Sequence, residues 1–447
     1  MGVYLTGLSV VFAHAGPAPA AKLAAVDDLQ RLKRSFYILT GLRWLPVGAV
    51  IPFMVLFMLE RGLELDQIGV AVAAYAITVA VLELPTGGLA DTLGRRPVLL
   101  AAETISGAGL LLFLFAVFLP QFAVAWAVLG VGRALNSGAL DAWFVDEAMR
   151  IEPEIELHQP LSVAAVVGGL GIAIGAIGAA FIPKVIDSGW ALGSVVVSDV
   201  AIPIIVALVL GLVHLVAIWI LVREERRESD GSRIREAIAD VGPTIKRALR
   251  LTARVPIIRS LMLVMIASGL ALSSVEILWQ PHFADLAGGA EGRTELFGIV
   301  AAIGFAAAAA GSGLSPRFVR LIKGRSAIAG FVAMLGVSAA LLGLALSDAL
   351  LVGGIGYLVF YVFVGLVGPL HAEMLHRQIS SEERSTMLSA DSLSLQLGGL
   401  VGTAGIAALA AATSIALGWV VVAGTVAASS LLYLVIDRHL TTQAEGF

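Results

Sequence analysis

A turn between two long apolar segments reads GGLADTLGRRP over residues 87–97. It must reverse the chain within a few residues, and its glycines permit both the reversal and a close approach of helices. Asp91 can accept hydrogen bonds from the N-terminus of a neighbouring helix, where the helix dipole favours an anion. A cluster of this kind forms in one arrangement of two helical bundles and breaks in another, which predicts a conformational latch. The predicted latch comprises Gly87, Asp91, Gly94, Arg95, Arg96 and Asp146.

Apolar segments continue on both sides of this turn. The 447 residues are 58% hydrophobic and 14% charged, whereas soluble proteins have about 25% charged residues. A bilayer core of about 30 Å requires about 20 apolar residues per helix, so we predict an all-α membrane protein with twelve transmembrane helices. The segments lie at 36–59, 67–88, 97–117, 122–149, 161–182, 199–222, 257–278, 296–315, 326–346, 350–373, 385–412 and 415–436.

A polar stretch separates the first six segments from the last six. We therefore predict two pseudo-symmetric six-helix bundles, an interpretation supported by an offset of 225 residues that aligns Gly88 with Gly313 and Arg95 with Arg320. The polar stretch has apolar residues at intervals of three or four among basic ones, so it is either an amphipathic helix at the membrane surface or a solvated linker. The predicted divisions are a tail at 1–35, a bundle at 36–222, a linker at 223–256, a bundle at 257–436 and a tail at 437–447.

The basic residues of the loops are unequally divided between the two faces of the membrane. Nearly all lie on the face that bears both termini, and the other face has only Arg61, Lys184 and Arg293. Because cytoplasmic loops carry an excess of Lys and Arg, both termini are predicted to be cytoplasmic. This topology predicts a multi-pass protein of the cell membrane, in a bacterium the inner or plasma membrane.

The turn at 87–97 resembles the loop signature of the major facilitator superfamily, G-x-L-A-D-R-x-G-R-[RK], with Thr92 in place of the usual basic residue. In the fourth segment, GRALNSG over 132–138 resembles the R-x-x-x-G element that is common in proton-coupled members, with four residues in place of three between Arg133 and Gly138. The resemblance covers residues 36–436 and implies the twelve-helix transporter fold of this family, among whose members the chain resembles the drug/proton antiporters. The Gly-Pro pair of the antiporter motif is missing from the fifth segment, so that motif does not indicate the direction of transport.

Several ionisable side chains fall inside the first four segments, where each costs about 2.5–3.5 kcal/mol unless it has a partner, a wet cavity or a function. They are Arg43, Glu83, Glu103, Arg133 and Asp141. The set contains three carboxylates and two guanidiniums, so at least one acid lacks a full partner. A proton carrier requires such an acid, because its pKa can lie near neutrality. We predict that Asp141 or Glu83 binds the coupling proton and that Arg133, on the same face of a continuous helix as Asp141, biases its affinity. Structural ion pairs, such as Arg43 with Glu83 and Arg95 with Asp146, are the alternative.

The family likeness also implies a central cavity lined by the first, fourth, seventh and tenth segments. The implied lining residues are Trp44, Asn136, Glu276, Tyr357 and Tyr361. For the two tyrosines, ordinary helix packing is the alternative. Amides are scarce, since Asn136 is the single asparagine and Gln396 the one glutamine well inside a predicted segment. A pocket for a polyol needs several such groups, so an amphipathic or hydrophobic substrate is favoured.

These features predict a secondary active transporter that exports amphipathic or hydrophobic small molecules by alternating access, driven by protons. A proton symporter or facilitator that imports a polar metabolite is the alternative, and a membrane sensor without transport is a more remote one. The sequence has no nucleotide-binding loop, metal-ligand cluster or nucleophile motif, so we expect no enzyme activity, cofactor or metal. The expected partners are a small-molecule substrate, protons and the lipid bilayer, without nucleic acid, and the protein is expected to be monomeric.

Overall fold

The computed structural model describes residues 19–87, 93–192, 195–224, 246, 250–379 and 384–445. Twelve helical segments are long and apolar enough to cross a membrane, which confirms the predicted number of spans. An even number of spans returns the chain to the face from which it starts. The face that bears residues 19 and 445 is called the proximal face below, and the opposite one the distal face.

The first half of the chain forms spans one to six. Its helices are α1 (Pro19–Val50) and α2 (Met54–Glu60) in the first span, α3 (Leu65–Gly87), α4 (Arg95–Phe115), α5 (Leu119–Leu135) and α6 (Ala139–Ile151) in the fourth span, α7 (His158–Phe181) and α8 (Ile202–Leu221). A two-residue antiparallel pair, β1 (Ala191–Leu192) and β2 (Val195–Val196), lies in the loop after α7. The first helix begins at Pro19, ahead of the predicted start at residue 36.

The second half forms spans seven to twelve. Its helices are α9 (Pro256–Ala287), α10 (Thr294–Leu321), α11 (Ser326–Ala345), α12 (Leu350–His376), α13 (Arg384–Leu400) and α14 (Ala407–Ala412) in the eleventh span, and α15 (Ile415–Glu445). A short π-helical stretch, Val401–Ile406, connects α13 to α14. The amphipathic helix predicted within 223–256 lies largely outside the described residues.

Apolar side chains cover both the inside and the outside of the bundle. In the fifth span, Val166, Leu170 and Ile174 are 62%, 56% and 61% exposed, and their spacing of four residues places them on one helix face. In a soluble protein such a stripe would be buried. Here it is the surface that faces lipid, which agrees with an integral membrane protein.

The seventh and eleventh spans cross with their backbones in close contact. A Cβ atom on Gly398 would lie 1.9 Å from the carbonyl oxygen of Ile266, and one on Gly269 would lie 2.0 Å from that of Leu395. Small residues allow membrane helices to approach in this way. Neither side of the crossing has room for a methyl group.

Gly398→Ala is therefore expected to destabilise the protein by about 3 kcal/mol, the upper end of the usual cost of overpacking. The matched control is Gly424→Ala in the twelfth span, since a Cβ atom there meets no atom within 4 Å. Thermal unfolding of the two purified variants should separate them, with a lower midpoint for Gly398→Ala alone. Equal midpoints would show that the two helices accommodate the added methyl group by moving apart at little cost in stability.

Two spans are interrupted where a continuous helix was predicted. The first is broken at residues 51–53, where Pro52 removes a backbone donor. The fourth is broken at residues 136–138, where Gly138 adopts a left-handed φ of 70°. The prediction that Arg133 and Asp141 share the face of one helix is therefore wrong, because they lie in different helices on either side of this break.

Candidate substrate cavity and gates

The loop signature is anchored to neighbouring elements of the same half. Arg95 forms an ion pair of 3.4 Å with Asp146, as one sequence-based alternative expects. The carboxylate of Glu224 accepts hydrogen bonds from the backbone amides of Arg95 and Arg96 at 2.9 and 3.0 Å. Glu224 thus caps the N-terminus of α4, where the positive end of the helix dipole also stabilises its negative charge. Sequence reasoning missed this cap, since Glu224 follows α8, far away in the chain.

The structure describes three of the four other residues of the first loop that belong to the predicted latch. Gly94, with a φ of 93°, provides the positive-φ turn before α4. Arg96 donates a hydrogen bond to the Trp219 carbonyl at 2.6 Å. Gly87 ends α3, and Asp91 lies outside the described residues. The latch itself remains a prediction, because the contacts seen here join elements of the first half to one another.

The break in the fourth span gives its two charged residues favourable positions. Arg133 lies in the last turn of α5 and Asp141 in the first turn of α6. A cation is stabilised at a helix C-terminus and an anion at an N-terminus. Broken helices within membranes expose such ends to ions and substrates, so this break is a structural reason to place function here.

A cavity of about 460 Å³ lies within the first half, beside this break. Its walls come from the first, second, third, fourth and sixth spans. They are mostly aliphatic, with a few aromatic and polar side chains among them. The polar and aromatic lining residues are Arg43, Trp44, Tyr75, Glu103, Thr104, Ser106, Trp126, Arg133 and Asn136.

Two guanidinium groups line this cavity. The Cζ atom of Arg43 lies 5.3 Å from the ring centroid of Trp44, a cation–π arrangement. The charges of Arg133, Asp141 and Glu103 all act on Arg43. Among the side chains that the structure describes, no carboxylate lies within the 4.0 Å of an ion pair from either Arg43 or Arg133. The Glu83 side chain, the predicted partner of Arg43, lies outside the described part of the chain.

Glu103 has a partner that sequence reasoning missed. Its Oε2 atom lies 3.0 Å from Nδ1 of His214, on the sixth span, and the two side chains are 11% and 1% exposed. The sequence shows both residues inside spans but cannot show that they meet. An imidazole and a carboxylate in contact can together hold one proton or two, which suits proton transfer.

The remaining predicted cavity residues lie in the second half, away from this cavity. Tyr361 is hydrogen-bonded to Glu276, and its ring centroid is 4.8 Å from that of Tyr357. Tyr357 also packs against Trp279 at 5.3 Å. Both tyrosines are buried, which favours the packing interpretation for this pair. Trp44 and Asn136 are the members of the predicted set that line the cavity.

Gln280 joins the two halves near the distal face. The amide of Val55 donates a hydrogen bond to its Oε1 at 3.1 Å, and its Nε2 donates one to the Ile51 carbonyl at 2.9 Å. In a continuous helix, Val55 would instead donate directly to Ile51. The Gln280 side chain is thus inserted into the broken first span. Val55 and Gln280 are 225 residues apart, the offset of the sequence repeat, so equivalent positions of the two halves meet here.

Further contacts between the halves lie at the same face. Thr294, the first residue of α10, donates a hydrogen bond to the Ala180 carbonyl at 2.8 Å. Lys184 forms an ion pair of 3.2 Å with Glu295. Between described residues, the hydrogen bonds and ion pairs that join the halves are confined to this region. The two halves are therefore closed against each other at the distal face.

Residues 36–403 match the model of the major facilitator superfamily. The chain belongs to this family. A stretch of 104 residues is 32% identical to the inner membrane transport protein YajR of Escherichia coli (strain K12), and it spans 23% of this chain and only 21% of YajR. This member of the superfamily is therefore a multi-pass membrane protein and a transporter, as predicted from the sequence.

Solved structures of other transporters share its fold. The nucleoside transporter NupG matches with a TM-score of 0.70 and 12% identity, over 90% of this chain and 98% of that one. A bacterial homologue of the human lysosomal transporter Spinster, in an inward-facing and unoccupied conformation, matches with a TM-score of 0.66 and 12% identity, over 95% and 98% of the two chains. At these identities the likeness concerns the fold alone.

Metal ligation has little support in the geometry. Within the ranges described above, no three His, Asp or Glu side chains are grouped as they would be around a metal ion. A second histidine–carboxylate pair, His371 with Asp391 at 2.7 Å, joins the tenth and eleventh spans. It has two members only, and the cavity is on the other half.

Proposed function

We propose that this transporter moves amphipathic small molecules across the membrane by alternating access, coupled to protons. The observation that carries the proposal is the cavity of about 460 Å³ inside the first half. Its volume is in the range of small-molecule sites, and apolar walls with a few polar groups are what an amphipathic ligand requires. We further propose that the proximal face is cytoplasmic, on the basis of the basic residues of the loops.

Alternating access requires a state that is closed on one face of the membrane. The Gln280, Thr294 and Lys184 contacts supply such a closure at the distal face. Ile51, whose carbonyl binds Gln280, also lines the cavity. A movement that releases Gln280 would therefore alter the end of the cavity as well, which links the gate to the site.

For the coupling proton we propose the acids around this cavity. Glu103 lines it and is paired with His214. Asp141 acts electrostatically on Arg43 and is exposed at the helix break. Glu83 belongs to the same set by its sequence position. Protonating Glu103 or Asp141 changes the charge near Arg43, so the affinity of the site for a charged ligand would follow pH.

The direction of transport has two candidates. Export by proton antiport follows from the likeness to drug/proton antiporters. Uptake by proton symport is favoured by the two guanidiniums in the cavity, because an anion and a proton bound at neighbouring groups strengthen each other's binding. Each candidate is consistent with alternating access.

Proteoliposomes with an imposed pH gradient test both. Three fluorescent probes are used, namely dansyl sulfonate (anionic), dansyl amide (neutral) and dansylcadaverine (cationic), with protein-free liposomes as the background. Antiport concentrates a probe in the acidic compartment, and symport concentrates it in the alkaline one. A transporter of amphipathic molecules should concentrate at least one probe in the acidic or the alkaline compartment. Fluxes equal to the background for all three would contradict the proposal.

Asp141→Asn is expected to abolish accumulation against a gradient while leaving downhill exchange of the same probe in place. The reason is that the amide keeps the size of the side chain but cannot bind and release a proton. Asp187→Asn, in an exposed distal loop, is the matched control and should behave as wild type. Undiminished accumulation by Asp141→Asn would remove Asp141 from the coupling set.

A further inference from the structure

The cavity in the first half is rich in hydrogen-bond donors. Arg43 and Arg133 are donors only, as is the indole Nε1 of Trp126. That indole nitrogen is buried and has no hydrogen-bond partner. Donors of this kind, in a cavity with apolar walls, are satisfied by a ligand that brings acceptors.

Acceptors on the protein are few at the same place. Asn136 is 9% exposed, and its Oδ1 atom is buried without a partner. The one lining carboxylate, Glu103, is already hydrogen-bonded to His214. The described lining thus has two guanidiniums and one occupied carboxylate, and it carries one more positive than negative charge. Asp141, which also acts on Arg43, lies outside the lining at the helix break.

The positive charge is costly unless something compensates it. A charged side chain within a membrane requires a partner or a wet cavity, and no described carboxylate is within ion-pair distance of Arg43 or Arg133. The position of Arg133 at a helix C-terminus offsets part of this cost. An anionic ligand would offset more, since guanidiniums bind carboxylate, sulfonate and phosphate oxygens in a bidentate manner.

We propose that the cavity selects amphipathic anions, with Arg43 and Arg133 holding the anionic group and Trp44 and Trp126 packing on the apolar body. This assignment rests on the proposed transport function, of which it specifies the substrate class. The described lining favours an anion over a cation. The structure gives the reason: Glu103 is engaged by His214, and Glu276 lies in the other half, bonded to Tyr361.

Equilibrium binding to the full chain in nanodiscs of neutral lipid tests the assignment. The probes are again dansyl sulfonate, dansyl amide and dansylcadaverine, and the signal is energy transfer from tryptophan to the dansyl group, corrected with empty nanodiscs. Dansyl sulfonate is expected to bind roughly ten to a hundred times more tightly than dansyl amide, as one or two hydrogen bonds to a charged group imply. Dansylcadaverine is expected to bind no better than the amide.

The arginines are then replaced one at a time. Arg43→Gln and Arg133→Gln should each weaken sulfonate binding about tenfold and so lower the ratio of sulfonate to amide affinity, while a thermal unfolding midpoint equal to that of wild type shows that the variant is folded. Arg317→Gln, exposed near the proximal end of α10, is the matched control and should bind all probes as wild type does. If a glutamine variant loses amide binding too, the lysine variant at that position is used, for which we expect a smaller loss of sulfonate affinity.

Three results would overturn the assignment: equal binding of sulfonate and amide, tighter binding of the cation, or a sulfonate preference that persists in both arginine variants. The binding measurement is independent of transport. Tight sulfonate binding without flux in proteoliposomes would leave the anion site in place and contradict the transport proposal. Flux of the probes without preferential binding of the sulfonate would support the transport proposal and contradict the anion site.

Discussion

Gln280→Leu is expected to open the distal face of the protein. Leucine has a similar volume but cannot bond to Ile51 or Val55, so the closed state would leave a buried carbonyl and a buried amide without partners. Each such group costs about 1–3 kcal/mol. A loss of about 3 kcal/mol is enough to bring a conformation that is about 99% populated close to equal population with its alternative.

The alternative state has a way to satisfy the same two groups. Ile51 and Val55 are four residues apart, so they can bond to each other once Gln280 withdraws and the first span straightens. The gate therefore has two arrangements, each with its backbone groups paired, as a two-state switch requires. Pro52 favours the bent arrangement, because it removes one backbone donor at this point.

Opening can be measured with a pair of labels, because the chain has no cysteine of its own. Cysteines at Val185 and Leu346, 85% and 79% exposed, place spin labels on the distal side of each half. The distance distribution should shift to longer values in Gln280→Leu. Gln396→Leu is the matched control, since that glutamine lies within the eleventh span with no hydrogen bond to a described residue. An unchanged distribution in Gln280→Leu would show that other contacts hold the distal face closed.

Amide substitution of Glu83, Glu103 and Asp141 together is expected to reduce gradient-driven accumulation to the protein-free background. These are the three acids of the first half to which we assign the proton. Downhill exchange of the neutral probe should continue, because the cavity and the gates are retained. Flux in proteoliposomes with and without a pH gradient measures the two separately.

The contribution of Glu103 can be isolated from that of the others. Glu103→Gln alone removes the carboxylate that lies 3.0 Å from His214 and should reduce the pH dependence of transport more than Glu147→Gln, whose carboxylate pairs with Arg150 at the proximal surface. A triple variant whose transport still follows the pH gradient would reject the proton assignment. The helical architecture would be unaffected by that result.

The sequence predicts most of the architecture because a membrane imposes a simple rule on it. Each span must be long and apolar, so hydropathy gives the twelve helices and the polar stretch gives the two halves. The signature at 87–97 identifies the family. The interruption of the first span was not predicted; Pro52 is the signal that could have indicated it, but the carbonyl and the amide that it leaves to Gln280 require the structure.

The pairing of side chains from different spans is what the sequence does not contain. Glu103 with His214, and Glu224 with the start of α4, are contacts between residues that are far apart in the chain, and helix periodicity says nothing about them. The break at Asn136–Gly138 was read as one helix because its residues are apolar or small enough to continue a span. Placing the cavity inside the first half likewise depended on how the helices pack.

Alternating access is the central claim, and the most direct test measures both faces of one protein. The distal pair at Val185 and Leu346 is compared with a proximal pair at Met149 and Leu321, exposed residues of the first and second halves. Relative to wild type, we expect Gln280→Leu to change the two distances in opposite directions. The distance between the distal labels lengthens, and the distance between the proximal labels shortens. Distances that lengthen together, or a distal opening with no proximal change, would contradict the central claim.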